Sequence, residues 1–398
     1  MKKMCWLGVV AAAGLLAGCS GSAEKQKVSE APPTDVFHQP SSVVEVHMAD
    51  EKTGWAISPG NVYRTEDGAE NWKSVLTFNY TDMMAPSELK PLDPAKLHMA
   101  YLGADEIWIS EAVEAGAYPY VVQHTADGGR NGFKKWDTFP ARGVGAIQFV
   151  DSKHGWMFEK FGSATGNDIV NLSRTEDGGA TWIRVSGNGR GEPVETFPDA
   201  GMKSGISFAD SLHGFATGSL RDMDTAFFYR TDDGGKTWKE QALPVHSTTL
   251  WTYPPEFFKN GAEGVMTAED STAHTITMLS TLDGGQTWQP TKPIPYQLRH
   301  SQEPALEQDG RVIAVVNDFT DVLHGWVMDQ TGGLYATKDG GTTWDTIPAD
   351  ETLKHALVES RVKQLNFVNE HTGWALMYQP NGVQSTLLKT TDGGHTWH

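Results

Sequence analysis

The stretch TDDGGKTW (residues 231–238) is written again as TEDGGATW (175–182), TLDGGQTW (281–288), TKDGGTTW (337–344) and TTDGGHTW (390–397). Two looser copies join them. TEDGAENW (65–72) has Ala69 in place of the second glycine and Asn71 in place of the threonine, and TADGGRNGFKKW (125–136) carries an insertion before its tryptophan. The seven aspartates, Asp67, Asp127, Asp177, Asp233, Asp283, Asp339 and Asp392, are spaced by 60, 50, 56, 50, 56 and 53 residues. That period is too long for a solenoid of paired helices and suits one four-stranded propeller blade with generous loops.

A second signature lies upstream of each copy. VHMADEKTGWAIS (46–58), IQFVDSKHGWMFE (147–159), ISFADSLHGFATG (206–218), FTDVLHGWVMD (319–329) and LNFVNEHTGWALM (365–377) share one form. An apolar alternating run meets an Asp/Asn turn, then Gly-aromatic, then a second apolar run. Period-two alternation broken by such turns marks hairpins. In the fourth unit strand A is GISFAD, B is HGFATGS, C is TAFFYRT and D is KTWKEQ, so the repeated box is the C–D hairpin. The expected fold is all-β, a seven-bladed β-propeller of four-stranded antiparallel blades over residues 41–398. Its blades fall at about 41–78, 97–137, 143–187, 204–242, 254–290, 311–348 and 362–398. Outside the first residues, only LKHALVESRV (353–362) has a helical period.

The box needs its residue types. The aspartate can bond back to turn amides, and the glycines accept positive φ. The seven box tryptophans are read as Trp72, Trp136, Trp182, Trp238, Trp288, Trp344 and Trp397. Each is expected to lie across the outer strands near a neighbouring blade, where full burial contributes at most roughly 4–6 kcal/mol. Trp55, Trp108, Trp156, Trp326 and Trp374 occupy the Gly-aromatic strand. Only Trp251 is left outside both repeats once the N-terminal Trp6 is set aside. Seven aspartates spread around a disc cannot converge on one substrate, and a calcium loop needs several carboxylates at alternating positions. His154, His213 and His324 precede a glycine in equivalent turns of different blades and cannot share a metal. No metal or cofactor is expected, since no nucleophile elbow, P-loop, HExxH or dinucleotide fingerprint is present in the sequence.

The N-terminus reads as targeting. MKK is followed by the apolar run MCWLGVVAAAGLL, too short for a comfortable span, and then by Leu16-Ala17-Gly18-Cys19. This resembles a bacterial lipoprotein signal, which implies removal of 1–18, lipidation of Cys19 and a place in the bacterial cell envelope, on the extracytoplasmic side of a membrane. Residues 19–40 are the expected tether, polar and Pro-rich after Cys19. The other cysteine, Cys5, lies in the part expected to be removed, so stability is expected from core burial and not from a disulfide. The net charge of −18 repels phosphate backbones and argues against nucleic acid as a partner.

The T-x-D-G-G-x-T-W elements resemble the BNR or Asp-box repeat of sialidases, sortilin-type receptors, xyloglucanases and photosystem II assembly factors. The photosystem II stability and assembly factor family, a single exported seven-bladed propeller, is the most similar in build, over roughly residues 41–398. The resemblance implies that the boxes are structural and lie opposite the ligand face. A six-bladed sialidase has an R-I-P element near its start; here there is none, and the first arginine, Arg64, directly precedes a box. A xyloglucanase resembles two propellers forming a cleft, and this chain has length for one.

With the boxes on one face, the D–A connections fall on the other. Their loops carry Arg142, Arg190, Trp251, Tyr253, Tyr296, Arg299, His300 and Arg361, residue types favoured as anchors. Two clusters stand out, LWTYPPEFF (250–258) and PIPYQLRHSQEP (293–304). The expectation is a lipid-anchored, monomeric, non-catalytic scaffold for a protein or peptide client. The alternative is a carbohydrate-active or carbohydrate-binding surface protein that takes a glycan. Ring closure is expected from residues near 36–42 lying along the last blade, whose D strand is cut short at His398. Deleting residues 30–42 is predicted to lower the melting temperature in a thermal scan, and an unchanged midpoint refutes a structural role for that segment.

Overall fold

The computed structural model describes residues 36–37, 40, 42–78, 97–111, 119–140, 144–164, 166–188, 196–220, 223, 225–258, 261–298, 307–308, 311–312, 314–379 and 384–398. The expected signal, Cys19 and most of the expected tether lie outside them. The fold is a seven-bladed β-propeller of four-stranded antiparallel blades, almost all-β, with one short helix. Blade 3 shows the pattern: Val144–Phe149, Gly155–Ala164, Asn167–Thr175 and Ile183–Gly187 pair in chain order from the centre outward. The helix, Glu351–Glu359, sits between blades 6 and 7 and buries Leu353 and Leu357. It starts at Asp350, whose carboxylate accepts from the Leu353 amide at 2.9 Å and from the Trp397 amide at 3.0 Å. The helical period at 353–362 thus belongs to a helix that ends by Glu359, and Arg361 opens the next strand.

Blades are joined by a repeated stack. The phenylalanine ending strand A lies flat on the strand B tryptophan of the preceding blade: Phe149 on Trp108, Phe208 on Trp156, Phe367 on Trp326, at 3.6–3.9 Å between ring centres. The same ring covers the glycine that opens strand B of its own blade. A Cβ on Gly155 or Gly214 would stand 2.6 or 2.5 Å from Phe149 or Phe208, which explains the glycine of the Gly-aromatic signature. The indole N–H then reaches into the next blade. Trp108 donates to the box carbonyl of Gly178 at 2.8 Å, Trp156 to that of Gly234 at 3.0 Å, and Trp326 to that of Gly393 at 3.2 Å.

Blade 7 meets blade 1 through different chemistry. The Trp374 indole N–H finds no partner among the described residues; Lys389 Nζ takes the Gly68 carbonyl instead, at 3.2 Å, and lies over the Trp374 ring. On the inner strands, the Gln364 amide bonds both ways to the Val46 backbone, and Asn366 accepts from the Met48 amide. Residues Val36–Phe37 pair with Lys73 and Trp72 on the outer edge of blade 1, so they close onto the first blade and not the last, and the part of the expected tether they occupy is a strand. Pro40 and Val43 do face Leu376 and Leu387 of blade 7. The missing fourth strand of blade 7 is reduced to one exchange of backbone bonds between Lys389 and His398.

Lys203 is fully buried where strand A of blade 4 begins. Its Nζ donates to the carbonyls of Asp199, Ala200 and Gly201 at 2.9–3.0 Å and of Asp168 at 3.2 Å. Burial pulls its pKa down to about 8, with the Asp168 and Asp199 charges opposing. The ammonium fills a nest of four carbonyls, two of which also accept a second bond, Asp168 from Asn188 Nδ2 and Gly201 from the Asp168 amide. Lys203→Met keeps the stem and removes the donor, so it is predicted to cost about 2–4 kcal/mol in a urea melt; a cost within error of zero overturns this account.

Candidate functional site

The box aspartates are consumed by their own turns. In the fourth box, Thr231 Oγ1 donates to Asp233 Oδ1 at 2.9 Å and accepts from the Gly235 amide at 2.9 Å. Thr237 then gives its amide to Asp233 Oδ1 and its hydroxyl to Oδ2, at 2.9 and 2.6 Å. The other boxes repeat this, with Asn71 and Asn131 replacing threonine in the first two. Partial burial works against ionisation, but the bonds from Thr396 and Thr390 prevail and hold Asp392 down at about 2. His154, His213 and His324 each bond the aspartate three residues earlier and brace the A–B turn.

The box tryptophans divide. Trp72, Trp288 and Trp397 are buried, whereas Trp136, Trp182, Trp238 and Trp344 are half-buried. Trp182 and Trp238 donate to the second glycine carbonyl of their own box. In blade 2 the box aromatic is Phe133, not Trp136. Phe133 is buried beside Gly129, immediately before strand Lys134–Pro140, while Trp136 sits inside that strand and stacks on His124. The insertion is therefore Gly132 alone.

Four residues expected on the ligand face, Arg142, Arg190, Arg299 and His300, lie outside the described residues. The other four are interior or tied down, which corrects their reading as loop-tip anchors. Trp251, Tyr296 and Arg361 are 9%, 6% and 4% exposed. Tyr253 and Tyr296 donate from their hydroxyls to the two oxygens of buried Glu269, at 2.6 and 2.8 Å. Arg361 donates to the Ser360 carbonyl at 2.8 Å. A tyrosine in a long connection can reach back to a buried carboxylate, and position in a loop does not reveal that.

An open cavity of about 570 Å³ lies between the inner strands of blades 3, 4 and 5. Its walls use the final residues of each strand, from Ile147 to Val150, Ile206 to Ala209 and Pro254 to Phe258, with Gly261. Those ends run into the A–B turns, and the A–B turns bond to the boxes: Gly234 to the Leu212 carbonyl, Gly284 to that of Ala262. The cavity thus opens at the box end of the central channel, the face expected to be purely structural.

The sequence of blade 5 builds this site. Its inner strand is split into Leu250–Thr252, paired with Ala268–Asp270, and Glu256–Phe258, paired with Glu263–Val265. Pro254 and Pro255 interrupt it because proline has no amide to donate. Pro254 approaches Gly205 of blade 4 so closely that a Cβ there would stand 2.9 Å from its ring. Phe257 turns to stack on Phe215, and Phe258 packs towards Phe319, leaving Glu256 exposed in the cavity. The Gln148 amide beside it is already committed to the Phe208 backbone in both directions. The stretch LWTYPPEFF was conspicuous in the sequence for its aromatics, but the functional group it presents is the carboxylate.

Glu256 is exposed to the cavity but hemmed in by its walls, and this partial loss of water pushes it up to about 7. Asp318, from the inner strand of blade 6, is raised well above the usual carboxylate range, by burial first and by the Glu256 charge second. A carboxylate with a raised folded pKa adds stability below its unfolded value, near 4.5, and loses it as pH rises through about 7. Glu256→Gln is therefore predicted to melt above the parent at pH 8, with the gap closing towards pH 4.5 in thermal scans; a gap independent of pH refutes the assignment.

Comparison with known proteins places this geometry. The sequence matches the BNR repeat-like domain over residues 147–356, more than half of the chain. It is 27% identical over 321 residues to a xyloglucanase of Paenibacillus sp., covering 72% of this chain and 29% of that protein. It is 28% identical over 145 residues to the photosystem II assembly lipoprotein Ycf48 of Synechococcus sp. (strain CC9902), covering 36% of each. The matches thus span only about a third of the length of either relative. Among solved structures, YCF48 bound to D1 peptide superposes with a TM-score of 0.54 at 16% identity, covering 92% of this chain and 97% of that one. YCF48 from Cyanidioschyzon merolae gives 0.53 at 19%, covering 89% and 97%. These likenesses establish the shared propeller fold. The repeats, the blade count and the sequence match together show that the chain belongs to the BNR repeat-like domain family.

Proposed function

We propose that this protein is a non-catalytic propeller that holds a protein or peptide client, tethered through lipidated Cys19 on the outer side of a bacterial membrane. The observation carrying the client reading is the likeness, over nearly the whole chain, to a YCF48 structure described as bound to D1 peptide, alongside the sequence similarity to a Ycf48. The described cavity supports it. Among the described wall residues Glu256 is the one acid, and the neighbouring Asp318 is taken up by the Phe367 amide, whereas glycoside hydrolysis ordinarily uses two free flanking carboxylates. The anchor rests on Leu16-Ala17-Gly18-Cys19.

The glycan reading is favoured by one observation, the xyloglucanase match across 72% of the chain. Two assays separate the readings. The purified chain is predicted to retain peptides from a proteolysed envelope extract and to release no reducing sugar from xyloglucan. Sugar release that disappears in Glu256→Gln but survives Asp233→Asn makes it an enzyme. In a bacterial host, Cys19→Ser is predicted to abolish labelling by radioactive palmitate and to release the protein from membranes; unchanged labelling removes the anchor.

A further inference from the structure

The box face differs from blade to blade at two repeated positions. The third residue of the A–B turn is Lys52, Lys153 and His371 in blades 1, 3 and 7, but Leu212 and Leu323 in blades 4 and 6. Between the threonine and aspartate of the box stand Glu66, Glu176 and Asp232 in blades 1, 3 and 4, but Leu282 in blade 5. Leu212, Leu282 and Leu323 are 47%, 72% and 50% exposed, so none is held in a core.

These leucines belong to consecutive blades, and each is tied to the cavity wall. Ala209, in the wall, leads into the turn that carries Leu212. Gly284, two residues after Leu282, bonds to Ala262, next to the wall residue Gly261. Val322, beside Leu323, packs with Phe258 of the wall. An arc of apolar tips therefore borders a cavity whose charged group is Glu256. Crowding by the cavity walls raises the pKa of Glu256, and among the described residues no cation opposes that shift. The surrounding turns carry Asp151, Asp210 and Asp321, each bonded by its own histidine, together with the lysines Lys153 and Lys338, and the chain as a whole is at −18. Complementary to this mouth is a positive charge set among apolar groups; an anionic lipid surface is repelled.

We propose that the box-face mouth receives a segment of the peptide client in which one lysine or arginine enters the cavity towards Glu256 while its apolar neighbours rest on Leu212 and Leu282. This deepens the peptide-client reading and rests on it. It also moves the docking surface to the end of the channel that the repeat family would leave structural. Shape and charge divide the work. The prolines and phenylalanines of the wall exclude water around the entering stem, and the carboxylate sets the sign of the guest.

Panning a random peptide library against the immobilised full chain tests this. The selected peptides are expected to carry Lys or Arg beside Leu, Ile or Phe. They are expected to bind Glu256→Gln about tenfold more weakly or worse, and to lose affinity for Leu282→Lys. Replacing their basic residue with norleucine is expected to mimic the Glu256→Gln loss. Thermal melting confirms that both variants are folded. Peptides that bind Glu256→Gln and Leu282→Lys as tightly as the parent overturn the docking site and leave the peptide-client reading intact. Failure of any peptide to be enriched over a bare surface overturns the client reading itself.

Discussion

The propeller depends on one contact made again and again: a flat phenylalanine held between the tryptophan of the blade before it and the bare backbone of a glycine in its own blade. Dispersion and burial supply the attraction, and the absent Cβ supplies the room. The indole N–H then fixes rotation, because it must find the carbonyl of the neighbouring box at hydrogen-bond distance. A ring of blades held only by apolar faces could slide. This ring has a polar catch at blade boundaries, and the inner strands add another in the Gln148 and Gln364 amides.

The same economy of groups explains why the conspicuous acids are not the chemistry. Each box aspartate has both oxygens engaged by the turn it closes, and such satisfied groups have little left to offer a guest. Glu256 is different because it stands on an innermost strand, just after two prolines, with its side chain exposed to the cavity. Function on a repeat scaffold is to be sought where one unit departs from its siblings, and blade 5 departs furthest: no Gly-aromatic tryptophan, a split inner strand, a leucine in its box.

Much of this was legible in the sequence. Period, hairpins and boxes give the blade count, and alternation gives the strands. Three things were not. Phe133 was passed over for Trp136 because an insertion of one glycine shifts the aromatic, and only burial shows which ring fills the slot. Tyr253 and Tyr296 looked like anchors because loop position says nothing of whether a side chain folds back onto Glu269. Lys203 gave no signal, since its four carbonyl partners come from backbone that only the fold assembles.

The junction of blades 7 and 1 has a consequence in time. Its partners, such as Gln364 and Val46, stand 318 residues apart in the chain. Every other wedge can dock on a neighbour made moments earlier, but the first inner strand must wait, one edge bare, until the strand that carries Gln364 has left the ribosome. Completion of the circle is therefore the late, slow event of biogenesis, and the interval before it is when the nascent protein is most open to mispairing with another copy of itself.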